Sequence, residues 1–175
     1  MSPIDREVRV MLTRRSFLLS SGCAGAALLA GLPLRALAAR GEGAFEVTRT
    51  EEEWQALLSP EQYAVLRQSA TEHPFTSPLL KEERRGDFAC AGCSLPLFSS
   101  TAKYDSRTGW PSFWAPLEDG VVGEREDRSH GMVRTEAHCA RCGGHLGHIF
   151  PDGPPPTGLR YCINGLALVF KPVAA

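Results

Sequence analysis

Two C-x-x-C pairs, Cys90-Ala91-Gly92-Cys93 and Cys139-Ala140-Arg141-Cys142, constrain this chain more than any other feature. Each pair can present two thiolates to one tetrahedral ion, and the glycines beside them permit tight knuckles. Four thiolates close the shell, so the expected cofactor is one structural Zn²⁺ ion that staples the fold and leaves no open position for substrate. Two disulfides are the alternative, since an oxidising compartment permits them. A further alternative puts His138 or His145 in place of one cysteine.

The compartment is itself a prediction. Thr13-Arg14-Arg15-Ser16-Phe17-Leu18 opens a stretch without charge that runs to Leu34 and ends near Ala36-Leu37-Ala38. That is the layout of a twin-arginine signal peptide over residues 1–38, cleaved after Ala38. An uncleaved anchor is weakened by Gly22, Gly25, Gly31 and Pro33, and lipidation of Cys23 by Ser20, which stands three before it where a large aliphatic residue is expected. A periplasmic or otherwise exported protein follows, with no stable membrane contact after cleavage. Because that route serves proteins folded before crossing, the metal would be loaded in reducing conditions. Net charge is −1 with no polybasic run, so the field that draws proteins to nucleic acid is missing.

Residues 39–49 read as a linker and 50–175 as one domain, which suits a chain that is 22% charged and 43% hydrophobic. Thr50 with Glu53, and Ser59-Pro60 with Gln62, each form a helix-start signature. Trp54, Leu57 and Leu58 share one apolar face and Tyr63, Leu66 and Ala70 another, with His73-Pro74 closing this helical wrap. From Asp87 onward, runs such as Asp87 to Cys90, Gly131 to Thr135 and Leu159 to Phe170 are punctuated by Gly, Pro, Asp and Ser, a β pattern. The expected class is mainly β, α+β: short N-terminal helices beside antiparallel sheet with a zinc knuckle.

Cys162 is the cysteine left over once signal and metal have taken theirs. A lone cysteine is most often a small buried hydrophobe. In Leu159-Arg160-Tyr161-Cys162-Ile163-Asn164, however, strand alternation puts Arg160, Cys162 and Asn164 on one face. A guanidinium beside a thiol favours the thiolate, and an amide offers a directed hydrogen bond. His145 and His148 stand three apart, followed by Asp152; a bulge at Gly147 would bring both rings to one side as proton donor and support. Zinc ligation or a solvated loop is the alternative for this pair. Trp110, held extended by Pro111, suits core or pocket wall equally.

Together these strings resemble the B-type methionine sulfoxide reductases. The likeness runs from Trp54 to Phe170 through Pro74-Phe75-Thr76, both Cys pairs, Lys103-Tyr104-Asp105-Ser106, Gly109-Trp110-Pro111-Ser112-Phe113, His145-Leu146-Gly147-His148 and Arg160-Tyr161-Cys162-Ile163-Asn164. It implies two antiparallel sheets with peripheral helices, and reduction of the R epimer of methionine sulfoxide, free or in proteins. It also implies that Cys162 attacks the sulfoxide sulfur and becomes a sulfenic acid, that His145, His148 and Asp152 assist proton delivery, and that Arg160 and Asn164 organise the site. Trp110 and Phe150 would bind substrate. Thr108 departs from the many relatives with a resolving cysteine there, so an external thiol reductant, a small thiol or a thioredoxin-like protein, is expected to recycle Cys162. Gly165, where serine is common, is a second departure. Two other readings remain, a zinc-knuckle binding module without turnover and a thiol peroxidase; the first does not need the reactive thiol, and the second does not explain the aromatic wall.

Overall fold

The computed structural model describes residues 45–173; the signal segment expected at 1–38, and the linker up to 44, lie outside them. Helices α1 (Glu51–Leu57) and α2 (Pro60–Gln68) begin where the sequence places them. Each carries a complete capping box, Thr50 with Glu53 and Ser59 with Gln62, in which the cap hydroxyl accepts from the third-residue N–H and the third side chain accepts from the cap N–H. A cap of this kind is worth about 1 kcal/mol, enough to start helices of two turns that packing then holds. Trp54 and Leu58 are buried as expected, but Leu57 is 52% exposed, so α1 is held by one narrow stripe. Helix α2 stops at Gln68, where Ser69 turns left-handed at φ 55°, five residues before His73-Pro74.

Among the described residues nine strands follow: β1 (Gly86–Cys90), β2 (Pro96–Ser99), β3 (Lys103–Tyr104), β4 (Ser112–Phe113), β5 (Val122–Asp127), β6 (Arg134–Cys139), β7 (His145–Phe150), β8 (Arg160–Ile163) and β9 (Leu168–Pro172). They make two sheets, ordered β2-β1-β9 and β3-β4-β8-β7-β6-β5, with every pairing antiparallel. The run Gly131 to Thr135 is only the approach to β6, since Ser129–Gly131 is a 3₁₀ turn. The run Leu159 to Phe170 is two strands in different sheets, separated by a 3₁₀ turn at Gly165–Ala167.

Aromatic side chains join the layers. Phe98 of β2 stacks on Phe113 of β4 with ring centroids 4.4 Å apart, and Phe88 of β1 meets Phe113 edge-on at 5.0 Å. These rings, with Leu97, Leu146 and Ile163, are fully buried. Each such side chain contributes roughly 2–3 kcal/mol on burial, and the dry packing fixes the larger sheet against the smaller. The face of the six-stranded sheet turned away from the rings is thereby free to carry polar groups.

Candidate active site and four-thiol cluster

That polar face carries a single row crossing all six strands. Tyr104 of β3 pairs with Ser112 of β4, Ser112 with Cys162 of β8, Cys162 with His148 of β7, His148 with Glu136 of β6, and Glu136 with Arg125 of β5. Directly opposed residues share a face, so Cys162 sits in a line of polar side chains rather than among core hydrophobes. It is half-buried, in a cleft of about 120 Å³ lined by Thr71, Trp110, Arg134, His148, Phe150 and Asn164 among others. Within it the structure brings together Cys162, His148, Asn164, Trp110 and Phe150.

The expected irregularity in β7 is present one residue earlier than Gly147. Ala137 opposes Gly147 and His138 opposes His145, leaving Leu146 as the extra residue. His145 and His148 consequently lie on one side, their rings edge-to-face at 5.5 Å. Glycine at 147 is needed for close approach, because a Cβ there would stand 2.0 Å from the Cys162 carbonyl oxygen.

Asp152 does not support the histidines. Both its oxygens accept from Arg160, at 2.8 Å each, and Arg160 lies 4.3 Å above the Phe150 ring. The carboxylates on the histidines are instead Glu136, 2.6 Å from His145 Nδ1, and Asp127, 2.7 Å from His148 Nε2. Each carboxylate is also gripped by an arginine, Glu136 by Arg125 and Asp127 by Arg134. Burial works against the charge on Glu136, but hydrogen bonds from His145 and Arg125 outweigh it and hold the acid at about 2. Asp127 is held well below the ordinary range, chiefly by Ser129 and with help from His148 and Arg134. Sequence reading missed Glu136, Asp127 and Arg134; alternating charge in Arg125/Asp127 and Arg134/Glu136 was the available signal.

Arg160 acts on the thiol in the expected direction, favouring the thiolate, but it is outweighed. Burial pushes the Cys162 thiol up, and hydrogen bonding from Thr108 and the charge of Arg160 only partly offset that. His148 is pushed down, first by burial, although Asp127 pulls the other way. Both groups therefore rest neutral near pH 7, with one transferable proton between them, on sulfur.

Glu72, also unremarked in the sequence, ties the N-terminal wrap to the cleft. Its carbonyl accepts from Trp110 Nε1 at 3.1 Å, its N–H donates to Asn164 Oδ1 at 3.0 Å, and its buried carboxylate accepts from the N–H groups of Gly165 and Leu166. Asn164 lies just past β8 and donates through Nδ2 to the Leu146 carbonyl at 3.0 Å, so its amide is committed to holding β7, β8 and the wrap in register. Gly165 has a steric reason: a Cβ there would overlap the Ser77 hydroxyl.

The other four cysteines form the cluster that the C-x-x-C pairs predict. Their sulfurs all lie within 4.8 Å of one another, with Cys90–Cys142 at 3.7 Å and Cys93–Cys139 at 3.5 Å. A tetrahedral ion with 2.3 Å bonds to sulfur requires edges of roughly 3.8 Å, whereas a disulfide requires about 2.05 Å. The donor set thus fits one soft, four-coordinate metal ion. Neither histidine joins it: His138 packs edge-on against Phe45, and His145 is bound to Glu136. Cys90 ends β1 in one sheet and Cys139 ends β6 in the other, so an ion here would bridge the two sheets.

A lone half-buried thiol facing an imidazole in an aromatic-walled cleft, on a scaffold whose remaining described cysteines are gathered elsewhere, defines a thiol-dependent oxidoreductase. The SelR domain matches residues 58–172. Similar proteins include three named peptide methionine sulfoxide reductase MsrB. That of Pseudomonas putida (strain W619) is 58% identical over 127 residues, which are 73% of this chain and 96% of the relative. That of Agrobacterium fabrum is 55% identical over 128 residues, covering 73% and 95%. That of Thiobacillus denitrificans is 58% identical over 124 residues, covering 71% and 94%. The chain belongs to the SelR-domain family, the B-type methionine sulfoxide reductases.

Proposed function

We propose that this protein reduces the R epimer of methionine sulfoxide, with Cys162 as nucleophile. The observation that carries the reading is the direct opposition of Cys162 and His148 in a cleft walled by Trp110 and Phe150. The chemistry balances without an outside acid. Cys162 sulfur bonds to the sulfoxide sulfur as its proton passes to the sulfoxide oxygen, with His148 placed to relay it. The oxygen, now a hydroxyl, then leaves substrate sulfur for Cys162 sulfur as the bond between the two sulfurs breaks and its electron pair returns to the substrate sulfur. The substrate gains two electrons and leaves as methionine, and Cys162 loses two and becomes a sulfenic acid. Asp127 orients His148, the Arg160–Asp152 pair braces the strand end beside Cys162, and the two aromatic rings exclude water from the methylthio group.

Cys90, Cys93, Cys139 and Cys142 would hold one Zn²⁺ ion, which supplies no chemistry to the cleft and fixes the sheets to each other. Thr108 faces Cys162 where a second thiol would form an internal disulfide, and the metal thiolates are committed. An external thiol is therefore the reductant: it attacks the sulfenic sulfur, releases water, and a second thiol equivalent frees Cys162. The Arg14-Arg15 leader supports export by the twin-arginine route as residues 39–175.

The test is turnover on separated R and S epimers of a blocked methionine sulfoxide with dithiothreitol, beside Cys162→Ser. Activity on R alone, abolished by the substitution, is the expected result. A folded, metal-loaded protein inactive on both epimers would overturn it. After one equivalent of R substrate without reductant, Cys162 should be dimedone-reactive; an intramolecular disulfide would refute external recycling.

A further inference from the structure

Three hydroxyl groups run away from the sulfur on its β4 side. Thr108 Oγ1 is 3.9 Å from Cys162 Sγ, at the outer reach of a sulfur hydrogen bond, and 2.8 Å from Ser106 Oγ. Ser106 Oγ is 2.7 Å from Ser112 Oγ, which donates to the Trp110 carbonyl at 3.1 Å. Ser112 is fully buried, and Ser106 and Thr108 are half-buried, so the chain has little competition from solvent. The loop is shaped for this. Asp105 accepts from the Arg107 N–H at 2.9 Å and Arg107 sits at φ 60°, which puts Ser106 and Thr108 on the inner side of the turn.

Each hydroxyl owns one proton and can point either way along the chain. With Cys162 as a thiol, S–H donates to Thr108, Thr108 to Ser106, Ser106 to Ser112, and Ser112 to the Trp110 carbonyl. With Cys162 as a thiolate, all three reverse: Ser112 donates to Ser106, Ser106 to Thr108, and Thr108 to sulfur. No proton passes between oxygens in the reversal, and the proton lost by Cys162 departs on the opposite, β7 side toward His148 and the substrate oxygen.

We propose that Thr108, Ser106 and Ser112 form a reversible hydrogen-bond relay that stabilises the Cys162 thiolate as it attacks, with Thr108 the group that touches the reacting sulfur. The proposal rests on Cys162 being the nucleophile. It gives Thr108 a positive role at a position where the chain lacks a second thiol: a hydroxyl backed by two more polarises toward the developing charge, and chains of this kind strengthen cooperatively. A valine there would fill the same space and offer no donor.

The relay is tested by the pH dependence of iodoacetamide alkylation at Cys162, followed by mass spectrometry on the metal-loaded protein. This reads thiolate without turnover, so its failure is distinct from failure of the enzyme assignment. The other charged or titratable groups facing the sulfur are Arg160 with Asp152 behind it, His148 from β7 with Asp127 and Arg134 behind it, and Tyr104 from β3; they are common to all variants. Thr108→Val should raise the alkylation midpoint by about one pH unit, tenfold less thiolate at a fixed pH below it, while Thr108→Ser should restore the wild-type midpoint. Ser106→Ala, which does not touch the sulfur, should shift it in the same direction by less, and carries the test should the valine variant fail to fold. An unshifted midpoint in Thr108→Val would overturn the proposal. So would a Ser106→Ala midpoint equal to wild type, since the chain behind Thr108 would then contribute nothing.

Discussion

His148 and Cys162 are directly opposed across the β7–β8 pair, and their environments push them in opposite directions: burial lowers His148 and raises Cys162. In the proposed mechanism the productive form holds one proton between them. As pH falls through the depressed value of His148, below the ordinary histidine value of about 6.5, a second proton is taken up; as it rises through the elevated thiol value, above about 8.5, the last is lost. The expected kcat/KM profile is a bell whose flat top spans that interval, with kcat/KM measured from pH 5 to 10.5. His148→Gln should lower kcat by roughly 10²-fold or more and abolish the acid limb. An acid limb surviving in that variant would assign it to another group.

Glu136 predicts how the fold responds to acid. Its folded value of about 2 lies below the value near 4.5 of a free carboxyl, so the unfolded chain takes a proton first as pH drops. The stabilisation is fully present above about pH 4.5 and is lost as pH falls toward 2. Glu136→Gln should therefore be less stable at pH 7 by roughly 2–3 kcal/mol, with the difference closing between pH 4.5 and 2 in urea unfolding series. His148, lowered by burial, adds a second loss that begins as pH falls below its unfolded value, so the wild type should weaken from about pH 6.5 downward.

Gly147→Ala tests the close approach of β7 to β8. The added carbon would meet a backbone carbonyl, that of Cys162, at 2.0 Å, and backbone gives way less readily than a side-chain tip. A destabilisation of about 2–3 kcal/mol is expected, with kcat falling further than stability alone explains because the strand that must shift carries the thiol. Thermal melts and initial rates on the same preparation separate the two effects.

The parts legible in the sequence were those written in local or strictly periodic signals. Thr50/Glu53 and Ser59/Gln62 announce α1 and α2 because a capping box needs only four consecutive residues. The four-thiol cluster was legible because C-x-x-C is the spacing at which one chain segment can offer two thiolates to a tetrahedral ion. What escaped depended on pairing between distant strands. Nothing near Glu136 or Asp127 says which histidine each will meet, since that follows from the register of β5, β6 and β7 and from the extra residue at Leu146. Asp152 stands near the histidines in sequence, but the β7–β8 register, with Phe150 opposite Arg160, carries it to the arginine instead. The thiol's direction of shift was missed because alternation reveals Arg160 as a neighbour and says nothing of how deeply the cleft buries Cys162.

A metal ion held by the four thiols, as proposed, would act on the fold, and its removal should reach the cleft only through the fold. Cys90 and Cys139 terminate strands of different sheets, and the row carrying Cys162 crosses β6 at Glu136, three residues before Cys139. Stripping the ion with a chelator leaves four crowded thiols with nothing to balance them, so the ends of β1 and β6 lose their tie. The melting temperature should fall by about 10 °C or more, and all four thiols should become available to a thiol reagent. At a temperature where the stripped protein is still folded, kcat should change by less than about threefold, because none of the four cysteines lines the cleft. A collapse of kcat without loss of fold would place the metal in the reaction and refute the division of labour between the two sets of cysteines.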